Sequence, residues 1–90
     1  MQIPKSFKLG KQTWGVAVVP RMRVHGRVYP AFYAMKVATN GRKPDKVGET
    51  FWHETTHAIL RDMGDPRWAD EKFVTAFSKR LNQVITTAKL

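Results

Sequence analysis

The stretch His53-Glu54-Thr55-Thr56-His57 is where residue types and spacing could do chemistry. Two residues four apart on a helix project from the same side, nearly one turn apart. Two imidazoles placed this way can share one Zn²⁺. Glu54 lies about 100° round the helix from His53. From there its carboxylate can reach water on the metal rather than the metal itself. A zinc ion lowers the pKa of that water, and the carboxylate takes its proton as attack on a carbonyl begins. Histidine and glutamate each fill 3 of the 90 positions, so chance would supply the pattern in roughly 0.003 of such chains.

A zinc site of this type needs a third protein ligand. The chain has no cysteine, and no histidine follows His57. The third ligand is therefore a carboxylate, or His25 from the first half. Asp70 and Glu71 are the carboxylates on offer in the second half. Helical projection sets Asp70 near the middle of an apolar face formed by Phe73, Val74, Phe77 and Leu81, where an acid needs a partner or a metal. Glu71 lies at the flank of that face, and reach favours it. Either acid could instead complement a helix dipole from the first turn.

The histidines need a helix, and the local signals predict one from about Val47 or Gly48 to Met63. Gly64 stands where a C-cap glycine belongs, and Pro66 bars continuation. Phe51, Trp52, Ala58, Ile59 and Met63 fall on the arc opposite the histidines, so this helix has a metal side and a buried side. Asp65-Pro66 reads as an N-cap followed by proline at the first position of a second helix. That helix starts there or near Trp68 and runs to about Ala88, with Phe73, Val74, Phe77, Leu81, Val84, Ile85 and Ala88 at helical period.

The first half is rich in Val, Tyr, Phe and Trp and broken by Gly and Pro. Thr13 to Val19 reads as a strand with Trp14, Val16 and Val18 on one face. Arg21 to Tyr29 is mixed, with apolar residues spaced by twos and Gly26 as a turn. Ala31 to Ala38 is the clearest second strand. Asn40-Gly41 marks a turn after it, and Lys43 to Lys46 reads as exposed loop. The pattern predicts a single α+β domain over residues 1–90: a small antiparallel sheet of about three strands within 1–46, a metal-site helix at 47–64 and a C-terminal helix at 66–88.

Composition narrows the functional classes. A 90-residue chain without cysteine excludes thiolate zinc fingers, thiol redox enzymes and cysteine hydrolases. No segment approaches the roughly 20 apolar residues that cross a bilayer, and the first residues lack an apolar signal core. These features predict a soluble, cytoplasmic protein with no membrane partner. Sixteen Lys+Arg against seven Asp+Glu give a net charge of +9, which favours acidic partners.

The segment from Gly48 to Gly64 resembles the active-site helix of small zincin metallopeptidases. It looks like the minimal gluzincins and small phage-encoded metallopeptidase-like proteins. The Pro4-Lys5-Ser6-Phe7-Lys8-Leu9-Gly10-Lys11-Gln12-Thr13-Trp14 stretch looks like their Pro-x-x-Phe-x-Leu-Gly-x-x-x-Trp opening. Glu71-Lys72-Phe73-Val74, followed by Leu81 and Val84-Ile85, looks like their last helix. The resemblance implies a sheet packed on the metal-site helix, then a helix carrying a glutamate ligand. It implies His53, His57 and Glu71 as Zn²⁺ ligands, Glu54 as general base and a protein or peptide as substrate. If the chain is phage-encoded, the compartment is the host cytoplasm. Departures lie at Thr55-Thr56 and in the short interval from His57 to Glu71. Full-size zincins also use a Tyr or His to stabilise the oxyanion, and Tyr33, Tyr29 and His25 are available.

The alternative function class is a basic nucleic-acid-associated protein, or a phage assembly or interaction module, with a structural or degenerate zinc site. Lysines and arginines crowd the first half, and Trp14, Tyr29 and Tyr33 stand among them and could stack on bases. No recognised nucleic-acid motif is present.

Overall fold

The computed structural model describes residues 1–90. Four strands come first: β1 (Ser6–Leu9), β2 (Gln12–Val19), β3 (Gly26–Tyr29) and β4 (Ala34–Ala38). Two helices follow, α1 (Pro44–Asp62) and α2 (Glu71–Thr87), with a 3-10 turn at Pro66–Ala69 between them. The α+β class and the order of sheet before helices are as the sequence predicts.

The sheet has one strand more than expected, and it is mixed. Its order is β1-β2-β4-β3. β1 and β2 form an antiparallel hairpin around Gly10, whose φ of +57° is the left-handed turn conformation that glycine adopts without strain. β1 has only Phe7 and Leu9 to bury, so alternation alone is too brief to reveal it. β3 pairs antiparallel with β4 on the outside, and β4 runs parallel to β2, with Val16 opposite Met35 and Val18 opposite Val37. β4 begins at Ala34 rather than Ala31, because Pro30 opens a 3-10 turn and Tyr33 closes it at a φ of +48°.

One face of the sheet supplies the core. Trp14, Met35 and Val37 pack with Val47, Phe51 and Ala58 of α1, flanked by Phe7, Leu9, Val16 and Val28. Trp14 is 3% exposed and is therefore shut off from any base-stacking role. α2 packs on α1 rather than on the sheet, so α1 is the middle layer. This explains why Thr55 and Thr56 are buried. The Thr56 hydroxyl donates to the Trp52 carbonyl one turn back at 2.7 Å, which satisfies it inside the helix.

Both helices begin away from the predicted points. Lys43 is the N-cap of α1 and Pro44 its first residue, where a missing N–H costs nothing. The exposed loop predicted at Lys43 to Lys46 is thus mostly the first turn. Asp65 and Pro66 cap the short 3-10 turn instead of α2, and Asp70 caps α2 through a 3.0 Å bond from the Phe73 N–H to Oδ1. The apolar stripe of α2 is only partly used: Val74 is buried, while Phe77, Val84 and Ile85 are 48%, 62% and 42% exposed. No helix is long and apolar enough to cross a membrane.

Candidate metal centre

α1 carries His53 and His57 on the side that faces the start of α2, and Glu71 is the first residue of α2. Glu71 Oε2 lies 3.0 Å from His53 Nε2, and Glu71 Oε1 lies 2.8 Å from His57 Nε2. The two Nε2 atoms are 3.3 Å apart. One ligand atom from each residue falls within 4.8 Å of the others, which makes His53, His57 and Glu71 a group that could hold a metal ion. The fit is close to what zinc requires: bonds of about 2.0–2.1 Å in a tetrahedron place neighbouring ligand atoms about 3.3 Å apart. Three protein donors also leave one tetrahedral position open.

The tautomer of His57 strengthens the case. Its Nδ1 hydrogen-bonds to the Trp68 carbonyl, and a carbonyl only accepts. Nδ1 therefore carries a proton, which leaves Nε2 as the nitrogen that faces His53 and Glu71 and can ligate. A metal-binding histidine is ordinarily held this way, by a second group on its other nitrogen. Trp68 lies in the 3-10 turn that Asp65 caps, where the Asp65 carboxylate accepts from the Arg67 N–H at 2.9 Å and from the guanidinium at 2.7 Å. These bonds hold the Asp65 carboxyl down at about 2. Burial lowers the His53 pKa, with Glu71 pulling the other way and His57 adding to the decrease. The neutral, ligating form of His53 is thereby favoured.

Glu54 occupies a different place. It is 7% exposed. Burial pushes its carboxyl up to about 7; Glu71 adds to the rise, while His57 and Arg27 oppose it. Its seat exists because β3 has no side chain at Gly26. A Cβ there would stand 2.8 Å from Glu54 Cγ and 2.9 Å from Thr50 Cγ2. Gly26→Ala is expected to displace the Glu54 side chain and to lower stability by about 1–3 kcal/mol through overpacking. Urea unfolding of the two proteins checks this, and equal midpoints would mean that the strand yields without cost.

A cleft of about 650 Å³ opens over these residues, walled by β3 on one side and α2 on the other. Of the three oxyanion candidates, only His25 lines it. Tyr33 stacks edge-on against Trp14 at 5.7 Å, and Tyr29 lies under Lys36. Tyr33, a possible oxyanion stabiliser on sequence, lies outside the lining of this cleft, with its ring against the core tryptophan. His25 is not among the metal-holding group. Its partner is Asn40, whose Oδ1 accepts from the Met22 N–H at 2.9 Å, so that its Nδ2 faces His25 Nδ1 at 3.1 Å. An amide nitrogen donates, so Nδ1 of the neutral ring accepts and Nε2 carries the proton.

Asp70 is the other alternative that falls away from the centre. As the N-cap of α2 it lies outside the helix, so the projection that set it on the apolar face does not apply. The contributions of the Trp68 carbonyl, Asn40 and Gly26 had no counterpart in the sequence reading. Each acts through backbone or through a contact between distant segments, and only the run of turn signals at Asp65-Pro66 hinted at one of them. Comparison of the chain with protein-family models, with curated proteins and with solved structures gives no match.

Proposed function

We propose that the chain is a minimal zinc-dependent peptide hydrolase. The observation that carries this reading is the convergence of His53, His57 and Glu71 beside a buried carboxylate that belongs to none of their contacts. Two imidazoles and a carboxylate form a recurrent donor set of catalytic zinc sites. A zinc ion bound there supplies Lewis acidity and lets water ionise near neutral pH. Glu54 accepts a proton from the attacking water and passes it to the departing amine. His25, with its proton on Nε2, donates to the oxygen of the carbonyl under attack. β3 is an edge strand beside the cleft, and its unpaired backbone groups take an extended peptide by strand addition. The likeness to the minimal zincins supports the same assignment of ligands and base.

The test is digestion of a mixed peptide library by the zinc-loaded protein, read by mass spectrometry. Cleavage is expected to stop with chelator, to return with added zinc and to be absent in His57→Ala. Cleavage that persists without metal, or no cleavage of any library member, would overturn the proposal.

A further inference from the structure

Beyond the ligands, the cleft carries positive charge that no ion pair within the chain engages. Arg27 on β3, Arg42 before α1 and Lys79 on α2 line it. None of them forms an ion pair; the pairs of the chain are Lys46–Glu49, Arg67–Asp65 and the two contacts of Glu71 with histidine. None lies over an aromatic ring, a role taken by Lys36, Arg61 and Arg67. The acids of the same cleft are already engaged: Glu49 by Lys46, Glu71 by the histidines, and Glu54 in its seat under Gly26.

Arg42 is the most telling of the three. Every other arginine is exposed, whereas Arg42 is half-buried. The hydrogen-bond partner of its guanidinium is the Thr50 hydroxyl, at 2.8 Å from Nη1. A guanidinium has five donors in a planar fork that matches a carboxylate, so most of its capacity is unspent. Thr50 stands one turn before His53 on α1, about 4.5 Å along the axis, and Lys79 stands about 12 Å along α2 from Glu71. An extended peptide advances about 3.3 Å per residue. A carboxylate reaching these cations therefore lies about one to four residues from the bond at the metal centre.

Resting on the hydrolase reading above, we propose that this cleft selects peptides bearing a carboxylate about one to four residues from the scissile bond. The carboxylate comes from an Asp or Glu side chain or from a free C-terminus. Arg42 beside α1 and Lys79 on α2 supply the cations that hold it, with Arg27 adding charge from the strand.

The test measures binding to the zinc-loaded Glu54→Gln protein, where turnover does not interfere, and cleavage by the wild type. One cleavable peptide is made with Glu, Gln or Lys at the position in question, all amidated at the C-terminus. The Gln version is also made with a free terminus. The Glu peptide is expected to bind about tenfold more tightly than the Gln peptide, with the Lys peptide weakest. Recovery of tight binding by the free-terminus peptide assigns the carboxylate to the chain end, and its failure assigns it to a side chain. Arg42→Gln and Lys79→Gln, made separately, are each expected to shrink the preference to under about threefold. Lys79 is exposed on α2, so that variant keeps the test alive if Arg42→Gln does not fold. Equal binding and cleavage of the Glu and Gln peptides overturns the selectivity and leaves the hydrolase standing. A Glu preference without cleavage of any peptide defeats the hydrolase reading and leaves a carboxylate-binding cleft. A short oligodeoxynucleotide that displaces the Glu peptide at lower concentration assigns the cations to phosphate and overturns the proposal.

Discussion

Glu54→Gln is expected to remove peptide cleavage and, in the metal-free protein, to raise stability at neutral pH. The loss of activity follows from removing the proton acceptor, a change that costs about 10²- to 10⁴-fold in rate. The gain in stability follows from the same burial that readies the group. In the unfolded chain this carboxyl ionises near 4.5, and in the folded chain burial has moved it to about 7. The folded state thus holds a proton that the unfolded state has released, and stability falls as pH rises between those two values. Below pH 4.5 both states are protonated and Glu54 carries no penalty. Above about 7 the whole penalty is present, and glutamine, which cannot ionise, escapes it. The difference should reach on the order of 2 kcal/mol, or roughly 10 °C in a domain of this size. Melting curves of both proteins in chelator from pH 4.5 to 8 measure it. A difference that stays constant with pH would mean that Glu54 is no more shielded from water than a surface acid.

Zinc is expected to raise the melting temperature by more than about 10 °C when present at a thousandfold excess over its dissociation constant. That excess adds about 4 kcal/mol to any fold that binds only when native, and each kcal/mol is worth about 4–8 °C in a domain of 60–100 residues. The effect is large here because the ligands tie α1 to α2, and α2 packs on α1 rather than on the sheet. His57→Ala should abolish the shift, and Glu71→Gln should reduce it. Protons compete for the ligands, so the shift should decline as the solution is acidified, and burial, which lowers the His53 pKa, delays that decline. Calorimetry with and without chelator reads all three. A melting curve indifferent to zinc would show that the two helices are joined by packing alone.

What could be read from the sequence depended on how far apart the cooperating residues lie. The spacing of His53, Glu54 and His57 is a local matter of one helix turn, and those three side chains stand where helical geometry puts them. The choice between Asp70 and Glu71 turned on where α2 begins. A shift of one residue moves Asp70 from the apolar face to the cap, and no periodicity resolves a boundary that finely. β1 and the parallel pairing of β2 with β4 depend on partners elsewhere in the chain, so alternation within either strand could not reveal them. Gly26 looked like a turn residue because glycine usually marks one. Its actual role, leaving room for a side chain 28 positions later, exists only once β3 lies across α1. Thr55 and Thr56, which depart from the apolar residues usual in such a helix, are accommodated because the Thr56 hydroxyl bonds back to the Trp52 carbonyl and the Thr55 hydroxyl donates to the Met35 sulfur.

The segment between the two helices has a bearing on the order in which this protein assembles. His53 and Glu71 are only 18 positions apart, and the carbonyl that orients His57 belongs to the same interval. Closing so short a loop demands little entropy, so a metal ion can clasp the helical hairpin before distant strands have found one another. The pocket around Glu54 has to wait for β3, and hence for the sheet. On the hydrolase reading, cation capture and proton-accepting power would therefore arise at separate moments of maturation, and refolding in zinc should accelerate the first without hastening the second. A nascent chain would then hold its ion before it could cut anything, its own unfinished neighbours included.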